Sequence, residues 1–130
     1  DWLSVYDHAA GIQHVFEQGE AGTVYNVGGG NERENITVAE QIVAALGKSR
    51  SLIRLVQDRP GHDRRYSIDC SRLRALGWSP QVPFEEGLKQ TVEWYRTHED
   101  WWRKIKTGEF KDYYRQQYGQ RLAKGTACGS

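Results

Sequence analysis

The segment that most constrains this chain is Asp58-Arg59-Pro60-Gly61-His62-Asp63-Arg64-Arg65-Tyr66-Ser67-Ile68-Asp69. Pro60 fixes its own φ and pushes Arg59 toward extended geometry. Gly61 then allows a turn that a side chain would block. The residues before the loop read as a scaffold delivering an extended strand into it, and those after it read as helix. The bent, stiff loop carries Arg59, His62, Arg64 and Arg65 within seven positions. Guanidinium forks match phosphate oxygens bidentately, so such a loop suits a diphosphate better than a single lysine would. It also reads as a solvated surface loop, because Asp58, Asp63 and Asp69 offset the arginines. The residues alone leave both readings open.

At 130 residues the chain is one domain at most, long enough for a core of its own. Eighteen basic and seventeen acidic residues, interspersed, leave a net charge of +1. No field of that size draws the chain to nucleic acid or to a membrane surface. The mean hydropathy of −0.77 and the lack of a long apolar run exclude a transmembrane helix. No secretory leader is recognisable, so a cytoplasmic setting is the expectation. Cys70 and Cys128 are too few and too distant for a metal cluster or a disulfide framework. The chain opens on Asp1-Trp2-Leu3-Ser4-Val5, without a methionine, and we expect it to be a piece of a longer protein.

In chain order, residues 2–5 read as extended. Asp7 is the expected N-cap of a helix from His8 to about Gln18, with Ile12, Val15 and Phe16 on one face and Gly19 at C′. The β-branched and aromatic run 23–27 predicts a strand that enters Gly28-Gly29-Gly30. Thr37-Val38-Ala39-Glu40 fits a capping box. Val38, Ile42, Ala45 and Leu46 would be the buried stripe of a helix that Gly47 stops. Residues 52–56 predict the strand feeding the Arg59 loop, and residues 65–68 continue extended. A short helix from about Ser71 to Leu76 closes at Gly77. Pro83 suits the first turn of the next helix, on which Phe84, Leu88, Val92 and Tyr95 keep a helical period to about His98. Trp101, Trp102 and Ile105 suggest further helical turns. Phe110, Tyr113, Tyr114 and Tyr118 mark a last helix, and residues 123–130 are expected to form a frayed tail. The predicted class is α/β, helix-rich, with a few short strands and no complete Rossmann domain.

His8 and His14 lie six apart, so one helix does not present them together, and His62 and His98 stand alone. His8, His14 and His98 read as ordinary surface or cap histidines and no metal is expected; His62 differs because it comes directly after Gly61 in the arginine loop. Gly28-Gly29-Gly30 supports no G-x-G-x-x-G and reads as a turn that lets backbone approach something. No Tyr-x-x-x-Lys and no G-x-S-x-G occurs. The Trp and Tyr residues at helical spacing read as core rather than as a stacking platform. Tyr118 is the one that could reach a ligand.

Five stretches occur in a telling order: Asp1-Trp2-Leu3-Ser4-Val5-Tyr6-Asp7-His8, Tyr25-Asn26-Val27-Gly28-Gly29, the Asp58 to Tyr66 run, Leu76-Gly77-Trp78-Ser79-Pro80 and Phe84-Glu85-Glu86-Gly87. Together they resemble the C-terminal part of the dTDP-glucose 4,6-dehydratases, which are extended short-chain dehydrogenase/reductases. The resemblance runs from Asp1 to about Leu122, and the R-P-G-H-D-R-R-Y run is its most specific part. The resemblance implies an intact enzyme that holds NAD on an N-terminal Rossmann domain, oxidises the sugar at C4, eliminates water across C5 and C6, and returns hydride to C6. It places the Tyr-x-x-x-Lys pair, the acid/base segment and the dinucleotide loop upstream of this chain, so no catalytic or cofactor-binding residue is expected here and the chain alone should be inactive. It implies a dTDP-sugar as partner, with Arg59 and His62 on the diphosphate within the Arg59-Pro60-Gly61-His62-Asp63 segment, and Asn35 and Tyr118 as further substrate contacts. The family also uses an arginine immediately before the equivalent of Asp1. The strand at residues 23–27 would join the edge of the Rossmann sheet; without that neighbour it must pair with another copy or leave backbone groups uncovered, so self-association or strand exchange is expected. Fragments of a sister dehydratase, epimerase or decarboxylase, or a stand-alone binding or assembly module, are the alternative readings.

Overall fold

The computed structural model describes residues 1–106, 110 and 113–116. The expected last helix is therefore seen only at Phe110 and residues 113–116, which are helical, and Tyr118 and the 123–130 tail lie outside the described residues. The elements are helices α1 (Val5–Gln18), α2 (Asn35–Ala45), α3 (Ser71–Ala75), α4 (Phe84–Thr97) and α5 (Glu99–Ile105), with a 3₁₀ turn at Arg50–Leu52. α4 packs against both α2 and α5, and the 3₁₀ turn lies against α2.

α1 begins earlier than expected, because Ser4 rather than Asp7 caps it: the Ser4 Oγ accepts the Tyr6 N–H at 3.3 Å. Asp7 is instead buried in the first turn, where its two carboxylate oxygens accept the backbone N–H groups of Gln81 (3.0 Å) and Val82 (2.9 Å). That clamp fixes the approach to α4. Gly11 lies on the same side of α1, and a Cβ there would come within 2.7 Å of Val27 and 3.2 Å of the Trp78 ring. One turn further, His14 donates Nε2–H to the Leu76 carbonyl at 2.9 Å. Val5, Ile12 and Phe16 occupy the opposite face and are exposed, Phe16 by 87%. Gly19 ends α1 with an extended φ of −76°, so its expected left-handed C′ role falls to no residue there.

The expected capping box also does not form. α2 starts two residues before Thr37, with Glu34 as N-cap, because the Glu40 carboxylate is taken by Arg50, whose Nε donates to it at 2.8 Å. Of the predicted stripe, Val38 is buried and Ile42 half-buried, while Ala45 and Leu46 are exposed. Gly47 stops the helix as expected, at φ +61°, and Gly77 does the same after α3 at φ +96°. Pro83 serves as N-cap of α4 rather than within its first turn.

Among the described residues there is no β-strand, which corrects the strands expected at 23–27 and 52–56. A strand is defined by its ladder, and no backbone ladder joins these segments to a neighbour among the described residues. Residues 23–27 form no regular element and are held by side chains: Asn26 Nδ2 donates to the Asp69 carbonyl at 2.8 Å, and an Arg72 guanidinium N–H to the Val24 carbonyl at 3.3 Å. The core is small. Among the described residues Val38, Cys70, Leu73, Trp78 and Phe84 are its buried apolar members, and of these Leu73 has a completely enclosed side chain. The Arg33 guanidinium lies 5.4 Å over the Phe84 ring, sealing the edge where α2 meets α4.

The tryptophans of α4 and α5 are not core, contrary to the reading from helical spacing. Trp94, Tyr95 and Trp101 are exposed and pack on one another, with Trp94 stacked on His98 at 4.7 Å and edge-on to Trp101 at 5.2 Å. His98 breaks the helical run, and the Trp102 indole N–H ties α5 back by donating to the Tyr95 carbonyl at 2.8 Å.

Candidate functional site

The Arg59 loop is exposed throughout, from Arg54 to Asp69. Its turn is made at Pro60 and Gly61, and Gly61 takes φ +69°, where a Cβ would be strained. The near end is closed by Asp58. Its Oδ1 accepts the Arg59 N–H at 2.8 Å and the His62 Nδ1–H at 2.6 Å. The His62 bond, and after it the Arg59 amide, holds the Asp58 carboxyl below the usual carboxylate range.

The far end is closed by Glu32. The Ser67 hydroxyl donates to one of its oxygens at 2.7 Å and Arg65 Nε to the other at 2.8 Å. Those two contacts, the Ser67 bond foremost, lower the Glu32 carboxyl. The Asp1 backbone nitrogen adds a bond to the Tyr66 carbonyl at 2.6 Å. Arg65 is thus spent on structure. Arg59 and Arg64 make no side-chain hydrogen bond or ion pair among the described residues, so their guanidinium groups stand free on a loop pinned at both ends.

The structure therefore carries Arg59, Pro60, Gly61, His62 and Asp63 on one turn. Asn35 opens α2, exposed, and no described contact joins it to that turn; the link runs through Glu32, three residues upstream. Glu32 escaped the sequence reading because neither acidic residue of Asn31-Glu32-Arg33-Glu34 announces a partner 33 residues away. The glycine run also finds its use. Gly28 sits against the Asp1 carboxylate and Cys70, and Gly29 under the Trp2 carbonyl, so what approaches is the chain's own first segment. A dinucleotide does not fit that turn, which is filled and does not open a helix. An open cavity of about 380 Å³ lies nearby, with Trp2, Leu3, Val5, Val27 and Ile68 on its mostly apolar wall; none of the expected site residues lines it. Among the described residues no three His, Cys, Asp or Glu side chains gather as a metal site requires.

The described residues thus form a small helical scaffold that presents a loop pinned at both ends, with the Arg59 and Arg64 side chains unengaged on it. The chain belongs to the GDP-mannose 4,6 dehydratase family, whose model matches residues 1–91, the Arg59 loop included. Within that family it is similar to dTDP-glucose 4,6-dehydratases. It is 44% identical to dTDP-glucose 4,6-dehydratase 1 of Escherichia coli K12 over 129 residues, 93% of this chain and 36% of that protein. It is 50% identical to the Streptomyces niveus enzyme over 107 residues, 82% of this chain and 32% of the relative. The crystal structure of the Bacillus anthracis dTDP-glucose 4,6-dehydratase in complex with NAD superposes with a TM-score of 0.75 at 45% identity, covering 81% of this chain and 33% of that one. The Streptomyces venezuelae enzyme, solved with NAD and a further ligand, gives 0.76 at 42% identity over the same shares. The chain thus spans about a third of the length of these relatives and corresponds to their C-terminal part.

Proposed function

We propose that this chain is the nucleotide-sugar-binding portion of a dTDP-glucose 4,6-dehydratase, which converts dTDP-glucose to its 4-keto-6-deoxy product. NAD, which supplies the hydride chemistry in that reaction, is assigned to the remainder of the protein. The work of this chain is to hold the substrate's diphosphate. Arg59 offers a fork of donors to the phosphate oxygens and His62 a further donor. Pro60 and Gly61 fix the turn so that little entropy is lost on binding, and Asp63 completes the segment. Asn35 and Tyr118 are assigned to other parts of the same substrate. One observation carries this reading: both anchors of the loop are satisfied by other residues, and the Arg59 guanidinium is left over. Were Arg59 there to hold the loop, Asp58 would be its partner; Asp58 is engaged by His62 instead.

The test is kinetic, in the intact enzyme. Arg59→Ala removes a charge-assisted contact of roughly 1.5–3 kcal/mol, on the order of ten- to a hundredfold in KM, with kcat moved far less if the contact is made equally in ground and transition states. Arg59→Lys keeps the charge and loses the fork, so its KM should fall between. An unchanged KM with a lowered Tm would remove Arg59 from the site. Comparing dTDP-, UDP- and GDP-glucose as substrates reads the nucleotide preference directly. The 130-residue chain by itself is expected to turn over no dTDP-glucose, and product formed by the purified chain would overturn the assignment.

A further inference from the structure

We propose that Asp58 is a positioning residue of the diphosphate site, acting through His62: it holds the imidazole by Nδ1 so that Nε2 is delivered to the same anion as the Arg59 fork. The proposal rests on the diphosphate-binding reading of the Arg59 loop. An Asp at this place needs only the Arg59 N–H to make its turn, a contact with the very next residue. The Asp58 Oδ1 also takes His62 Nδ1 at 2.6 Å, across four residues and over the Pro60-Gly61 turn. That second bond sets the ring's orientation and its tautomer. A ring that donates from Nδ1 to a carboxylate leaves Nε2 as its one remaining polar atom, and Nε2 has no partner among the described residues.

A ring that donates from both nitrogens is doubly protonated, and in that form Nδ1 serves the Asp58 carboxylate while Nε2 donates to a phosphate oxygen. The surroundings suit that use. Arg59 comes directly after Asp58, Asp63 and Arg64 come after His62, and the Tyr66 ring stands 6.5 Å from the imidazole, tilted by 53°. Arg59 and Arg64 offset the negative charge that Asp58 brings toward an anion. One oxygen bonds both the Arg59 amide and the His62 ring, which ties the imidazole to the backbone from which the Arg59 side chain departs.

A double-mutant cycle in the intact enzyme decides it, with KM for dTDP-glucose as the readout. Asp58→Ala should raise KM about tenfold, with kcat moved far less, as loss of one oriented charge-assisted donor predicts. His62→Ala should raise it comparably, and the double variant should lie within about twofold of His62→Ala alone, since Asp58 then has nothing left to orient. A merely structural Asp58 would add its full factor in the His62→Ala background, and that result overturns the proposal. So does an Asp58→Ala enzyme of unchanged KM beside a raised KM in His62→Ala. If the alanine variant fails to fold, Asp58→Asn keeps an acceptor for the Arg59 N–H and loses the charge. Its smaller rise in KM should vanish in the His62→Ala background, and persistence there is again contrary. Unchanged KM in both Arg59→Ala and His62→Ala would instead overturn the binding role of the loop itself, and this inference with it.

Discussion

Asp58 and Glu32 close the two ends of the loop as carboxylates, and both have pKa values lowered by the bonds they accept, from His62 and Ser67 first. A group whose folded pKa lies below its unfolded value contributes stability that is complete above the unfolded value, near 4 for these side chains, and lost as pH falls through the folded one. The loop should therefore be fully pinned at neutral pH and released in the acid range. Both groups are exposed, so the release should be local rather than global unfolding. Carboxyl-carbon NMR titration reads it: both midpoints should fall below the ordinary carboxylate values, with the Arg59 amide shifting in step with Asp58. A midpoint at or above the ordinary value for Asp58 would mean that its bond to His62 is absent in solution.

Helix α1 shows what an element contributes when its two faces have different partners. Its packed face carries Asp7, Gly11 and His14, and its apolar face carries Val5, Ile12 and Phe16 in the open. Asp7→Ala would leave the part-buried N–H groups of Gln81 and Val82 without their acceptor, at a cost of about 2–4 kcal/mol in urea unfolding. Asp7→Asn keeps one acceptor oxygen and should cost less. Phe16→Ala in the isolated chain should stay within about 0.5 kcal/mol of the parent, because there is nothing packed on that ring to lose. An Asp7→Ala chain as stable as the parent would mean that the clamp does not place α4.

For the whole molecule the imbalance is between a core of a few side chains and a broad apolar exterior. Phe16, Leu55 and Val24 are exposed by 87%, 81% and 73%, and the Trp94 cluster adds aromatic surface. In the proposed intact enzyme the remainder of the protein would cover part of this. The chain on its own should self-associate, through these faces and through the segment at 23–27, whose backbone has no ladder among the described residues. Sedimentation across a concentration series should show mass rising with concentration. A strict monomer throughout, with the amides of residues 23–27 protected from exchange, would show that the chain buries these groups by itself.

The features legible in the sequence are those that a few neighbouring residues decide. Gly47 and Gly77 end their helices in the left-handed region because no β-carbon opposes it, Pro60 and Gly61 bend the loop, and the apolar period of α4 runs nearly as read. The family resemblance is legible for the same reason, as it lies in short contiguous runs. What the tertiary structure alone decided involves partners far along the chain. Ser4 and Asp7 are both good caps three residues apart, and only the amides of Gln81 and Val82 draw Asp7 away from that role. Glu40 could complete a capping box, but Arg50 competes for it. Residues 23–27 have strand chemistry, yet a strand needs a ladder to a second backbone, and none forms among the described residues. Glu32 has no local signature at all; Arg65 and Ser67 make it an anchor. Propensity and turn chemistry act over a few residues and can be read in order, whereas a hydrogen bond between distant segments exists only once folding has brought them together.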